Sequence, residues 1–168
     1  MRILLVSDSH RSDLFLDIIN YEQADQVFHL GDSEFKAVNL QMFDSIVQGN
    51  CDFDQQIPKT SIKEIQNLRF FMTHGHLYGV NYGDLDIVEE GLKNNCNIVI
   101  HGHTHVVAAH ITNKVLVLNP GSIKQSRCSY KESYMVMFID NEDIKIELKE
   151  ANNNLLLDTF YFAKGELC

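Results

Sequence analysis

The chain has 168 residues, 45% of them apolar, and a formal charge of −9. A chain of this length buries roughly two-thirds of the surface its unfolded form exposes, so it forms a core without disulfide staples. The acidic balance excludes a surface that coats nucleic acid, which needs clustered Lys and Arg; an anionic substrate has to be attracted locally.

Ile3 to Val6 reads as a buried first strand, and Leu14, Phe15, Ile18, Ile19 and Tyr21 follow at helical spacing. Gln26 to Leu30 predicts a second strand, Phe35 to Phe43 a helix, and Ser45 to Val47 a third strand. This alternation predicts parallel pairing. After Pro58, Thr60 to Ile65 and Leu68 to Thr73 flank a short Gln66-Asn67 connection, which predicts an antiparallel pair. A helix is expected near Asp84 to Asn94 and a strand at Ile98 to Ile100. The remainder reads as β structure: Val106 to Ile111, Val115 to Leu118, Tyr134 to Ile139 and Ile144 to Leu148. Leu155 to Phe162 reads either as an edge strand or as a docking segment for another subunit, which leaves a homo-oligomer open. No repeat or proline-rich linker divides the chain, so a single domain over residues 1–168 is expected. Cys51, Cys96, Cys128 and Cys168 form no C-x-x-C pair, and no signal peptide or long apolar span is present. These features suggest a reduced, cytoplasmic protein without a membrane partner.

The polar residues that carry chemistry fall at the strand ends. Asp8 and His10 follow the first strand, Gly31-Asp32 the second and Gly49-Asn50 the third; His74 ends Phe70-Phe71-Met72, and His103 and His105 follow Ile98 to Ile100. In an open α/β sheet the carboxyl ends of parallel strands form one crevice, so these residues should converge. Carboxylates and imidazoles suit Mn²⁺, Fe²⁺, Zn²⁺ or Ni²⁺. Seven ligands exceed the needs of one tetrahedral ion. Shared between two ions with Asp32 bridging, they leave room for a water. The glycines before Asp32, Asn50 and His103 fit close backbone approach at such a site.

D-S-H at Asp8 to His10, G-D at Gly31-Asp32, G-N-C-D at Gly49 to Asp52, H-G-H at His74 to His76 and G-H-T-H at Gly102 to His105 together resemble the calcineurin-like metallophosphoesterase superfamily. The likeness is to its small bacterial and archaeal phosphodiesterase branch. It implies an α/β, four-layer αββα sandwich of two mixed sheets flanked by helices. It further implies that one metal takes Asp8, His10, Asp32 and His105, and the other Asp32, Asn50, His74 and His103, with manganese the first expectation. A hydroxide bridging the ions would attack phosphorus in a small-molecule phosphate ester. Two divalent ions against Asp8, Asp32 and that hydroxide leave about +1, which draws a phosphodiester monoanion into an acidic protein.

Many superfamily members carry a histidine where this chain has Cys51, and that histidine assists the departing group. The small phosphodiesterase branch tolerates cysteine there. A thiol is a poorer cationic stabiliser than an imidazolium, so good leaving groups should be favoured, with His76 as a substitute donor. Arg127 is a candidate phosphate contact through a bidentate pairing, against the simpler reading as a solvated loop arginine. His29 and His101 stand just before the motif residues and are expected on the opposite side of their strands, in structural hydrogen bonds. Asp52 reads as a turn residue, His110 as a surface histidine, and Asn119-Pro120-Gly121-Ser122 as a structural turn. The alternatives are a non-catalytic scaffold like the retromer subunit of this fold family, and a phosphatase for monoesters or pyrophosphates. Asp32 and Asn50 weigh against the scaffold, which departs from the pattern at the second and third strand ends.

Overall fold

The computed structural model describes residues 1–168. Its first sheet contains β1 (Arg2–Val6), β2 (Gln26–His29), β3 (Ser45–Ile46), β9 (Ser133–Ile139), β10 (Asp143–Glu150) and β11 (Leu156–Ala163). The second contains β4 (Thr60–Ile65), β5 (Leu68–Thr73), β6 (Ile98–Ile100), β7 (Ala108–Thr112) and β8 (Val115–Asn119). Strand order is β11-β10-β9-β1-β2-β3 in the first and β4-β5-β6-β8-β7 in the second. Helices α1 (Leu14–Glu22) and α2 (Leu85–Lys93) complete the regular elements longer than one turn.

Both sheets are mixed for the reason the sequence suggests. β1 pairs with β2 and β2 with β3 in parallel, each joined by a crossover, whereas β9, β10 and β11 follow one another antiparallel. In the second sheet β5, β6 and β8 are parallel, and antiparallel β4 and β7 form its edges. Three apolar layers separate four structural layers. Ile3, Leu5 and Phe28 of one sheet meet Phe70, Ile98 and Leu116 of the other between the sheets. Phe15 and Ile18 of α1 cover Leu4, Val6 and Val27 on one outer face, and Ile87 and Val88 of α2 cover Phe71, Val99 and Val117 on the other. Alternation along β1, which places Ile3 and Leu5 inward and Leu4 and Val6 outward, permits burial on both faces. The architecture is thus the expected αββα sandwich.

Two segments differ from expectation or settle it. The helix expected over Phe35 to Phe43 does not form; a single 3-10 turn, Ala37–Asn39, stands in its place. Val38 and Met42 are exposed, so the apolar residues do not share a face. Side chains also capture the backbone donors: Phe35 N–H donates to Ser33 Oγ and Ala37 N–H to Asp54. The last strand, β11, is an edge strand on β10 with a register shift at Leu148/Lys149. No helix is long and apolar enough to cross a membrane.

Candidate metal centre

The carboxyl ends of the parallel strands of both sheets open on one edge of the sandwich, and the loops there are tied together by backbone hydrogen bonds. Asp8 N–H donates to Gly31 C=O, His10 N–H to Asp32 C=O, and Gly102 N–H to His74 C=O. Asp8, His10, Asp32, His103 and His105 all have positive φ, between 41° and 66°. Left-handed backbone costs a non-glycine residue roughly 1–2 kcal/mol, and such strain concentrates at functional sites. Two motif glycines are required by crowding. A Cβ on Gly49 would stand 2.0 Å from Asp32 Oδ1, and one on Gly102 would stand 1.9 Å from Ser7 Oγ and 2.7 Å from Asp8 Oδ2.

The imidazoles are oriented by their outer nitrogens. His74 Nδ1 lies 2.7 Å from Leu30 C=O and His105 Nδ1 lies 2.6 Å from Gln125 C=O. A carbonyl only accepts, so both Nδ1 atoms carry the proton and both Nε2 atoms face inward. His10 is held in the same way, with Nδ1 3.0 Å from Glu34 Oε1. The three Nε2 atoms then converge on carboxylates. His105 Nε2 is 3.1 Å from Asp8 Oδ1 and 3.3 Å from His10 Nε2. His74 Nε2 is 3.3 Å from Asp32 Oδ2 and 3.8 Å from Asp8 Oδ1.

The remaining oxygens are satisfied from behind. Asp8 Oδ2 accepts from Ser7 Oγ at 2.5 Å and from His103 N–H at 3.1 Å, and Asp32 Oδ1 accepts from Cys51 N–H at 2.7 Å. Asp8 Oδ1 and His74 Nε2, by contrast, are buried without a hydrogen-bond partner. Unpaired buried acceptors facing one another are costly, and either a proton or a cation relieves them. Burial alone would raise the Asp8 and Asp32 pKa values. The neighbouring imidazoles outweigh it, His105 and then His74 at Asp8 and His74 at Asp32, where the Cys51 N–H adds to it, holding both below the ordinary carboxylate value. Burial would depress His74, but Asp32 and Asp8 raise it. The pocket demands positive charge, and its oxygen and imidazole donors fit divalent metals.

Donor atoms of Asp8, His10 and His105, of Asp8, Asp32 and His74, and of His10, Asp32 and Cys51 each lie within 4.8 Å of one another. Asp8, His10 and Asp32 are each shared between two groups. His103 sits at the rim, its ring 5.2 Å from that of His74 and its Nε2 3.1 Å from Asn81 Nδ2. Asn50 is exposed, with its amide donating to Cys51 Sγ. His76 is half-buried beside His74 and His103, and its Nδ1 has no partner. Arg127 is exposed; its backbone N–H bonds His105 C=O, but its side chain contacts no acid.

His29 bonds Ser9 Oγ and accepts from Gly31 N–H, and His101 packs beneath the Gly102 turn near Asn119, so both serve as structural hydrogen-bond partners. Asp52 does more than shape a turn. Its carboxylate accepts from Asp32 N–H, Gly49 N–H, Glu34 N–H and Ser33 Oγ. Asn119 ties down Gly102 and Thr104, and Ser122 Oγ donates to Asp8 C=O. Sequence reasoning did not single out Glu34 or Ser7. The available signals were position alone: Glu34 lies two residues after Asp32, and Ser7 precedes Asp8.

Residues 1–142 match the calcineurin-like phosphoesterase superfamily domain. A probable metallophosphoesterase of Bacillus subtilis, YsnB, is 27% identical over 94% of this chain and 96% of its own length. A phosphodiesterase of Methanocaldococcus jannaschii is 30% identical over 72% of this chain and 83% of its own. A crystal structure from Streptococcus pneumoniae, described as a predicted phosphoesterase, superposes with a TM-score of 0.87 at 28% identity, covering 96% of this chain and 97% of that one. The vacuolar protein sorting protein Vps29 of Cryptosporidium parvum shares the fold, with a TM-score of 0.79 at 18% identity over 97% and 98% of the two chains. The strand-end motifs, the αββα sandwich and the matched domain agree: this chain belongs to the calcineurin-like phosphoesterase superfamily.

Proposed function

We propose that the chain, acting as a single domain, hydrolyses small-molecule phosphodiesters at a centre of two divalent cations, with manganese the first choice and nickel, iron or zinc as alternatives. The observation that carries this reading is the pair of buried, unpartnered atoms, Asp8 Oδ1 and His74 Nε2, facing each other across 3.8 Å inside a ring of oriented imidazoles. Asp8, His10, Asp32 and His105 would hold one ion, and Asp32, Asn50, His74 and His103 the other. The phosphodiesterase name of the M. jannaschii relative supports the substrate class.

When bound, two divalent ions supply a water of lowered pKa and positive charge for the oxygens of the reacting phosphate. The chain's own residues supply orientation. Leu30, Gln125 and Glu34 fix which nitrogen of His74, His105 and His10 faces inward. Asn50, an exposed neutral amide beside Cys51, would donate a hydrogen bond to a phosphate oxygen. Neither Cys51 nor His76 is a ready proton source. Burial, followed by the charges of Asp32, Glu34 and Asp52, pushes the Cys51 thiol up to about 11, and burial lowers His76 so that it stays neutral. Esters whose leaving group departs without a proton are therefore the favoured substrates.

The test is hydrolysis of a chromogenic phosphodiester and the matching monoester by metal-stripped protein reloaded with Mn²⁺, Ni²⁺, Mg²⁺ or Zn²⁺. Turnover of the diester ahead of the monoester is expected with at least one metal. Preference for the monoester would make it a phosphatase. No turnover with any metal would leave a scaffold in the manner of its Vps29-like fold neighbours.

A further inference from the structure

His103 is supported differently from the other three imidazoles of the cage. His10, His74 and His105 are held through Nδ1, by Glu34, Leu30 and Gln125, and turn Nε2 inward. At His103 the supported atom is Nε2, which stands 3.1 Å from Asn81 Nδ2. The nitrogen left to meet an ion is therefore Nδ1. An imidazole that binds a metal through one nitrogen carries its proton on the other, and the group that accepts this proton orients the ring.

Asn81 lies in the loop between β5 and α2, and its backbone is fixed on both sides. Val80 packs with Ile87 and Val88 of α2, and Tyr82 N–H donates to Gly79 C=O at 2.8 Å. The side chain itself is exposed, and its amide makes no hydrogen bond except to His103. The amide can therefore turn over without breaking another contact. With Nδ2 toward the ring, Nε2 must accept, the proton sits on Nδ1, and that nitrogen has no lone pair for a metal. With Oδ1 toward the ring, the amide accepts from Nε2–H and the Nδ1 lone pair is free.

We propose that Asn81 is the positioning residue of His103, presenting Oδ1 to Nε2–H in the metal-loaded protein so that His103 ligates through Nδ1. The inference rests on the two-ion reading, which gives His103 an ion to hold. It separates the supports of the two ions: Glu34 serves the one held by His10, and Asn81 the one held by His103.

The test loads ¹⁵N-labelled protein with diamagnetic Zn²⁺ and reads the imidazoles by long-range proton–nitrogen correlation. His103 should be protonated on Nε2, and His10, His74 and His105 on Nδ1. Zinc titration with elemental analysis should show one of the two ions weakened about 10–100-fold in Asn81→Leu, the usual cost of losing an outer partner. Both ions should be retained in Asn81→Asp, which can only accept. Metal-stripped Asn81→Leu should unfold at the wild-type urea concentration, since Asn81 is exposed and the loss lies in the ligand, not the fold. Two ions bound with this tautomer, but no hydrolysis of a chromogenic diester or monoester, would sink the phosphoesterase reading and leave Asn81 assigned. Two ions bound equally by wild type and Asn81→Leu, or His103 protonated on Nδ1, would overturn the role of Asn81 and leave the centre standing. An ion lost from Asn81→Asp as it is from Asn81→Leu would overturn that role too, because it would make the amide a donor.

Discussion

Glu34 Oε1 lies 3.0 Å from His10 Nδ1, and Glu34 Oε2 lies 2.9 Å from Arg11 Nε. The carboxylate is a backstop for the imidazole: it accepts a hydrogen bond from Nδ1–H and keeps the ring aimed at Asp8 and His105. Removing such outer partners typically costs about 10–100-fold in metal affinity. Glu34→Gln is therefore expected to weaken one of two bound ions by roughly that factor while leaving the other in place. Metal titration followed by elemental analysis reads both ions separately. An unchanged two-ion isotherm would show that His10 needs no partner.

Asp52 is the second hidden support. It is 6% exposed and accepts three backbone N–H groups and one hydroxyl, joining the loops after β2 and β3. Hydrogen bonds to a charged acceptor contribute about 1.5–3 kcal/mol each before losses are shared among neighbours. Asp52→Asn turns one oxygen into a donor that faces other donors, and should lower stability by about 2–4 kcal/mol. Urea unfolding of metal-stripped protein measures this without interference from bound ions. A loss below about 0.5 kcal/mol, the size of an ordinary surface change, would reduce Asp52 to a turn residue.

The two buried histidines outside the cage make stability depend on pH. Burial pushes His29 and His101 down to about 4, against partial support from Asp52 for His29 and from the Gly102 backbone for His101. The folded state keeps both rings neutral, whereas the unfolded chain protonates them below its ordinary value near 6.5. Stability from this source is complete above about pH 6.5, declines as pH falls toward 4 and is flat below, a loss of about 3 kcal/mol for each ring. In metal-stripped protein, His29→Gln should cost stability at pH 7 and have a shallower acid limb, so that the two curves converge near pH 4. Parallel curves would mean that His29 does not titrate with unfolding.

The strand ends were legible because apolar runs such as Ile3 to Val6 and Ile98 to Ile100 end sharply in polar motif residues, and a parallel sheet then gathers those ends on one edge. That logic placed Asp8, His10, Asp32, His74 and His105 together in the folded chain. Other features depend on side-chain reach, which periodicity does not encode. The Phe35 to Phe43 segment has helical spacing on paper, yet Ser33 and Asp54 capture its backbone donors. Asp52 is turn-like in sequence because the groups it binds, Ser33 and Glu34 among them, come from a loop about twenty residues earlier. Glu34 itself resembles any solvated acid until the fold brings His10 against it. Asn50 was legible by motif, but its exposed amide turned toward Cys51 shows how little a motif says about rotamer.

Cys51 sets the last prediction. Its thiol sits with His10 and Asp32 and is pushed up to about 11 by burial and by the carboxylates of Asp32, Glu34 and Asp52. At neutral pH the group stays protonated, with neither positive charge to stabilise a departing alkoxide nor the acidity to protonate it early. Aryl diesters need no such help, so the wild-type rate should fall steeply from aryl to alkyl leaving groups. Cys51→His places an imidazole at the same spot, and the same carboxylates favour its protonated form. General acid catalysis contributes typically 10²–10⁴-fold, and a newly introduced donor should recover about tenfold, a tenth of the lower figure, for alkyl diesters only. The measurement is kcat against leaving-group pKa for both proteins: the variant should show the shallower slope and a basic limb where its imidazole loses the proton. Equal slopes would place the proton source away from position 51.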